Sequence, residues 1–246
     1  MRVALVVLAI TIVTAPARAH VTPSVDDNNR FLKLTPLGDR VRLAYTVLFG
    51  DTPGQSERAA IDTNHDGTIS EDEAHAFGAQ LAAQVAAGVD LEVDGKGQKV
   101  AWTDVDVGMG TPQVTGGSFS IDLVTYPCLG APRLGPHRVR LRDHFRLTRP
   151  GRTDVKIEDS PGVTVDRARI GDADASDFSS VGPGGPLDND GLDLRFTVDG
   201  KAPAAPDATC AADAPSPAGH QSLVIALALA GAAVIDRKST RLNSSH

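Results

Sequence analysis

Apolar and polar residues alternate with a period of two through most of the chain. In residues 40–49, the apolar set begins at Val41, Leu43 and Tyr45 and continues at every second position to Phe49. Alternation of this kind is typical of β-strands that bury one face and leave the other in water. The same pattern recurs in residues 89–93, 118–126, 137–145, 153–158, 162–167 and 192–198. About eight short strands at this spacing predict a mainly β fold, an antiparallel sandwich.

One segment, residues 53–88, has helical periodicity instead. A first short helix is predicted with Thr52 as its cap, ending near Ile61. A second helix carries an apolar stripe at intervals of three to four residues, formed by Ala74, Phe77, Leu81 and Val85. Gly88 stands where a helix C-terminal glycine is expected. The sequence therefore predicts a helix–loop–helix inserted into a β domain, an α+β protein overall.

Between the two predicted helices lies "DTNHDGTISEDE", residues 62–73. Oxygen-bearing side chains occupy alternate positions at Asp62, Asn64 and Asp66, followed by Gly67 and then Glu73. This arrangement fits the pattern D-x-[DN]-x-[DN]-G-x₅-E and resembles the EF-hand family. Such a loop presents the oxygen ligands that a hard cation such as Ca²⁺ requires.

The resemblance implies a specific ligand set for one Ca²⁺ ion. The side chains of Asp62, Asn64 and Asp66 would contribute oxygens, and Gly67 would permit the sharp bend of the loop. The remaining ligands would be the backbone carbonyl of Thr68, Ser70 directly or through water, and both oxygens of Glu73. Ser70 and Glu73 also form a capping-box pair at the start of the second helix.

EF-hand loops usually occur in pairs, and this sequence contains no second one. The fragment "DNDG" at 188–191 lacks the first and last acidic residues of the pattern and predicts a turn. Ile69 is the apolar residue that would pair across two loops. Without a second loop, it is expected to pack against the β domain. A large opening that exposes a Met-rich groove is not expected, because Met109 is the only methionine after the first residue.

Both ends of the chain are predicted to lie outside the folded domain. Residues 1–19 combine one early Arg, an apolar run and a small-x-small site, and indicate a secretory signal peptide cleaved before His20. The apolar run is shorter than the ~20 residues that span a bilayer, which argues against an uncleaved anchor. We expect a periplasmic or cell-surface location. Residues 20–201 are the predicted extracytoplasmic domain.

The C-terminal segment, residues 202–246, is predicted to consist of three parts. Residues 202–219 form a Pro/Ala-rich linker, and 220–235 predict the start of a truncated transmembrane helix, with a buried core helix as the alternative. Residues 236–246, "DRKSTRLNSSH", back-translate to a sequence that resembles a common sequencing-library adapter and are set aside as an artefact. The membrane is therefore an expected partner through the C-terminal helix.

Charge and cysteine content narrow the function classes. The formal net charge of −7 falls to about −11 without the two ends, since they hold five of the 24 basic residues and one of the 31 acidic ones. An acidic domain is not expected to bind nucleic acid. Outside the cytoplasm, Cys128 and Cys210 could form a disulfide; two unrelated thiols or an intermolecular pair are the alternatives.

Three functions remain open. The first is an exported, membrane-tethered calcium-binding domain in which the ion has a structural role. The second follows a loose resemblance in element order to the extracytoplasmic domains of nickel/cobalt-permease-like membrane proteins. The third is a copper enzyme in which His20 pairs with His137 or His144, although the sequence contains neither G-x-S-x-G nor H-E-x-x-H. With no catalytic motif, an enzyme is not expected.

A remaining segment is rich in Gly, Pro and Ser. Residues 172–186 contain six of these residues in their second half and no sustained alternation, so the sequence predicts a loop there.

Overall fold

A computed structural model describes residues 25–131, 133–202 and 210. The predicted signal peptide, His20, residues 203–209 and 211–219 of the linker, the predicted transmembrane segment and residues 236–246 lie outside the described residues. No helix in the described ranges combines the length and apolar character needed to cross a bilayer.

The described residues form strands and helices in the following chain order: β1 (Asn28–Pro36), β2 (Val41–Phe49), α1 (Asp51–Ile61), α2 (Glu71–Gly88), β3 (Val89–Val93), β4 (Lys96–Gln98), β5 (Asp104–Gly108), β6 (Phe119–Thr125), β7 (Gly135–Asp143), β8 (Pro150–Ile157), β9 (Val163–Ile170), β10 (Ala173–Asp174), β11 (Phe178–Val181), α3 (Pro186–Asn189) and β12 (Leu192–Val198).

These strands form two six-stranded sheets. The first sheet has the order β11-β8-β1-β2-β6-β5, and the second has the order β10-β9-β12-β7-β3-β4. Every pairing is antiparallel except that of β1 with β8, which is parallel. The predicted mainly β, antiparallel sandwich-like fold with a helical insertion is confirmed.

The core lies between the two sheets and follows from the alternation of the strands. In β2, every second residue is buried, from Val41 to Phe49, while the intervening residues are half-buried. The facing strands β7 and β12 contribute Val139, Leu141 and Phe196 to the same apolar cluster. Each strand thus buries one face and leaves the other toward solvent, as period-two alternation requires.

A buried polar group joins the two sheets. The carboxylate of Asp143, at the end of β7, lies 2.5 Å from Nη1 of Arg30 on β1 and accepts a 3.0 Å hydrogen bond from the hydroxyl of Tyr45 on β2. Burial raises the pKa of the Asp143 carboxyl, and the Arg30 guanidinium opposes that shift. Because an unpaired charge in this position would be costly, the contact favours one alignment of the two sheets.

The helical insertion lies between β2, which ends at Phe49, and β3, which begins at Val89. Helix α1 begins earlier than predicted, with Gly50 as its N-cap, so the prediction that Thr52 caps it is wrong. Thr52 lies in the first turn and donates a hydrogen bond to Asp26. The capping position requires glycine because a Cβ on Gly50 would lie 2.5 Å from the Val25 carbonyl oxygen.

Helix α2 packs closely on the first sheet. The ring of Phe77 lies 6.0 Å from that of Phe49 and 6.2 Å from that of Phe119. Further along α2, the carbonyl oxygen of Ala82 accepts a 2.9 Å hydrogen bond from the indole N–H of Trp102. The predicted apolar stripe therefore faces the sheet: α2 packs on β5, and Phe77 contacts residues of β2 and β6.

Gly88 has a different role from the one predicted. It is the last residue of α2 and is not in the left-handed conformation of a C-terminal glycine cap. A Cβ at this position would lie 2.8 Å from the Phe145 backbone, so glycine is required by the close approach of the two chain segments.

Two further sequence predictions are corrected. Residues 172–186 were expected to be a loop, but they contain β10 and β11, which pair with β9 and β8. The "DNDG" fragment was expected to be a turn, but Asp188 and Asn189 belong to the short helix α3, and the turn follows it at Gly191.

A disulfide joins Cys128 and Cys210. Cys128 is held in the first-sheet region, where Arg40 forms a β-bridge with it and Gln98 donates a side-chain hydrogen bond to its carbonyl oxygen. Cys210 is buried. The bond therefore links the segment that follows β12 back to the β domain.

Candidate metal centre

The candidate metal loop is framed by helices α1 and α2. Ser70 is the N-cap of α2, and its hydroxyl accepts a hydrogen bond from the Glu73 backbone N–H at 3.3 Å. The Glu73 carboxylate in turn accepts a 3.0 Å hydrogen bond from the Ser70 backbone N–H. The structure thus contains the capping box that the sequence predicts, and this arrangement fixes Glu73 in the first turn of the helix.

The loop backbone bends through two left-handed residues. His65 has a φ of 57° and Gly67 a φ of 84°. No atom lies within 4 Å of the position that a Cβ on Gly67 would occupy, so glycine is needed there for its backbone conformation alone. The bend at Gly67 brings the two halves of the loop together.

Three of the predicted ligands point their oxygens at backbone amides inside the loop. Asp62, which is buried, accepts hydrogen bonds from the amides of Asp66 at 3.2 Å and Gly67 at 2.9 Å. Asn64 Oδ1 accepts from the Asp66 amide at 2.9 Å, and Asp66 Oδ1 accepts from the Thr68 amide at 2.8 Å. These bonds fix the orientation of the three side chains within the loop.

Glu73 joins the entry and the exit of the loop. Its Oε1 accepts hydrogen bonds from the Thr63 backbone amide and hydroxyl, both at 2.8 Å, and its Oε2 accepts from the Ser70 hydroxyl at 2.8 Å. Hydrogen bonds from the Ser70 backbone and from the Thr63 and Ser70 side chains lower the pKa of the Glu73 carboxyl to about 2. The carboxylate is therefore ionised at any physiological pH, which a cation ligand requires.

The donor set fits a hard cation. The six predicted ligands comprise three carboxylates, one amide, one backbone carbonyl and one hydroxyl, all of which bind through oxygen. Ca²⁺ prefers six to eight oxygen ligands, whereas softer metals prefer nitrogen or sulfur. Within the described ranges, no three His, Cys, Asp or Glu side chains are grouped as a metal site. In this loop the carboxylates are instead held by amides and hydroxyls, so the calcium site stays a prediction.

Backbone contacts join the loop to the β domain. Thr68 forms a β-bridge with Gln113, the Ile69 amide donates to the Pro112 carbonyl oxygen at 2.7 Å, and the Val114 amide donates to the Gly67 carbonyl oxygen at 3.1 Å. These partners belong to residues 109–118, here called the arm, which connect β5 to β6. The contacts of the loop with the arm are made through backbone groups of residues 67–69 and 112–114.

Arg58 on helix α1 is a residue of the site that the sequence analysis missed. Its side chain is fully buried and lies over the Phe119 ring, with Cζ 5.3 Å from the ring centroid. One signal was available in the sequence. Gly54, Arg58 and Ile61 are spaced as a helical stripe, and all three are buried in the structure.

The two histidines considered as copper-binding partners of His20 lie in different surroundings. His137 is buried, with Nδ1 2.9 Å from Asp94 Oδ2 and Nε2 2.9 Å from the Arg133 carbonyl oxygen. His144 lies between Asp188 and Asp90. His20, with which either one would pair, lies outside the described residues.

Comparison with known proteins gives no assignment: no protein-family model matches this chain, and neither does any curated protein.

Proposed function

We propose that this chain is an exported calcium-binding module in which one Ca²⁺ ion braces the helical insertion against the β domain. The observation that supports this proposal is the loop at 62–73, which combines an all-oxygen donor set with an ionised Glu73 and a backbone bonded to the arm. The ion would be held by Asp62, Asn64 and Asp66, the Thr68 carbonyl, Ser70 and Glu73. It would supply positive charge that draws these oxygens together.

A structural role fits the packing better than a switch. An opening of the two helices would separate Phe77 from Phe49 and Phe119, and would expose the buried side of α2. A bound ion at a concentration 100 times its dissociation constant adds about 2.7 kcal/mol of stability. This is a substantial fraction of the ~5–15 kcal/mol of a typical domain. The ion thus stabilises a single arrangement of the insertion.

Isothermal titration calorimetry of the purified chain tests the proposal. We expect one Ca²⁺ per chain. Glu73→Gln removes a charged, bidentate ligand, and we expect it to weaken binding about tenfold or more. Glu71→Gln is the matched control, since it removes the same charge from the same helix turn without removing a ligand. A wild-type stoichiometry near zero, or equal affinities for the two variants, would contradict the proposal.

Export and a membrane tether are also proposed, on the basis of the apolar sequences at 3–13 and 223–235. Fractionation of cells that express the native gene tests both. We expect the protein in the membrane fraction, with the β domain accessible to protease from outside. Recovery in the cytoplasm would contradict export, and recovery as free soluble protein outside the cytoplasm would contradict the tether.

A further inference from the structure

The arm is held on one side by a single buried side chain. The Arg58 guanidinium donates to backbone carbonyl oxygens of the arm at Gly117 (2.9 Å), Thr111 (2.8 Å) and Gln113 (3.1 Å), and also to that of Met109. A further contact reaches the Ser118 carbonyl oxygen at 3.5 Å. These hydrogen bonds of the fully buried arginine all end on backbone carbonyls of one segment, residues 109–118.

On its other side, the same segment holds the candidate metal loop. Gln113 accepts a hydrogen bond from Arg58 through its carbonyl oxygen, and it is also the residue that forms the β-bridge with Thr68. Its neighbours Pro112 and Val114 bond to Ile69 and Gly67. The arm therefore lies between α1 and the loop, with contacts to both made within three consecutive residues.

We infer that Arg58 is a positioning residue for the calcium loop: it fixes the arm, and the arm fixes the backbone of residues 67–69. This inference rests on the proposed function, and it adds a residue outside the loop that governs the affinity of the site. The Thr68 carbonyl is one of the proposed ligands. A loop whose backbone is already in place loses less conformational freedom when an ion binds, so it binds more tightly.

The chemistry of the contact explains why an arginine is needed. A buried guanidinium must satisfy several N–H donors at once, and leaving them unpaired is costly. The arm must therefore present its carbonyls in one geometry, because no other arrangement satisfies the same donors. An apolar side chain of similar length would fill the volume without selecting any position of the arm.

The test combines two readouts on three variants. Arg58→Met keeps an unbranched apolar stem but removes the donors of the guanidinium. Arg58→Lys keeps the charge but provides a compact point donor that cannot reach all of the carbonyls. Val198→Ala, in β12 of the second sheet, is the control for a general loss of stability. The readouts are Ca²⁺ affinity by calorimetry and hydrogen exchange of the Ile69 and Val114 amides in calcium-free buffer.

We expect Arg58→Met to weaken Ca²⁺ binding at least about fivefold and to speed exchange at both amides. Arg58→Lys should fall between Arg58→Met and the wild type, and Val198→Ala should leave both readouts unchanged. If Arg58→Met does not fold, Gly116→Ala replaces it, because a Cβ there would lie 3.0 Å from Arg58 Cζ and 2.9 Å from the Gln113 carbonyl oxygen. We expect that substitution to displace the arm, and so to change both readouts in the same direction as Arg58→Met.

The outcomes separate this inference from the proposed function. If the wild type binds one Ca²⁺ and the Arg58→Met variant binds it equally well, the inference is overturned and the proposed function stands. If Val198→Ala weakens binding as much as Arg58→Met, the effect is one of general stability and the inference is likewise overturned. If the wild type binds no Ca²⁺, the proposed function fails, and this inference fails with it.

Discussion

Replacement of Gly78 by alanine tests how helix α2 is seated on the β domain. Gly78 is buried in the middle of α2, and a Cβ added there would lie 2.6 Å from Val107 Cγ2 and 3.3 Å from Val105 Cγ1 of strand β5. Alanine is favoured over glycine in a helix by about 1 kcal/mol. Overpacking against a stiff, β-branched neighbour costs ~1–3 kcal/mol. We therefore expect the free energy of unfolding to fall by up to about 2 kcal/mol.

The sign should reverse when the neighbour is shortened. In a Val107→Ala background the closest obstacle is gone, so the same Gly78→Ala substitution should raise the free energy of unfolding by up to about 1 kcal/mol. Urea unfolding of the four proteins, at one fixed calcium concentration, gives an interaction energy that we expect to be ~1–3 kcal/mol. Additive effects, or a stabilising Gly78→Ala in the wild type, would refute the packing described for α2.

Two other predictions concern the disulfide and a surface histidine. Replacing Cys128 and Cys210 together by serine should lower the free energy of unfolding by about 4–5 kcal/mol in the chain-entropy model. The reason is that the disulfide joins residues separated by 82 positions. A loss below about 1 kcal/mol would contradict a stabilising role for the bond. Hydrogen bonds that the His144 ring donates to the carboxylates of Asp188 and Asp90 hold the pKa of His144 above its usual 6.5. The stability that this contact contributes is therefore full below pH 6.5 and is lost as the pH rises through the higher folded value. Asp188→Asn should lower the His144 pKa toward 6.5, measured by NMR titration of the imidazole ring; an unchanged pKa would refute the assignment.

The sequence predicts the β fold because most strands bury one face completely. β2 and β6 show unbroken alternation of buried and half-buried residues, so the face that each strand turns to the core follows from the sequence. β5 was missed because only two valines alternate with polar residues there, which is too short a run to predict a strand. β11 was missed because its four residues owe their strand conformation to pairing with β8, which no local pattern encodes.

Within the candidate site, contiguous features were predictable and distant contacts were not. The bend at Gly67 and the capping box of Ser70 and Glu73 depend on residues a few positions apart, so local chemistry specifies them. The contacts of Arg58 reach carbonyl oxygens that lie 51 to 60 residues further along the chain. A backbone carbonyl has no sequence signature. Only the folded structure therefore shows that the arm contacts both Arg58 and the loop.

Hydrogen exchange with and without calcium is the most direct test of the central claim, that one ion braces the insertion against the β domain. On adding Ca²⁺ to the purified chain, we expect slower exchange in residues 51–88 and in the arm, and little change in β1, β7 and β12. The reason is that α2 makes its main sheet contacts with β5 and β3, whereas β1, β7 and β12 are each paired with a strand on both sides. Unchanged exchange at Gly67 and Ile69 would contradict calcium binding in the loop. Loss of protection across both sheets on chelation would contradict a local brace, since the whole core would then depend on the ion.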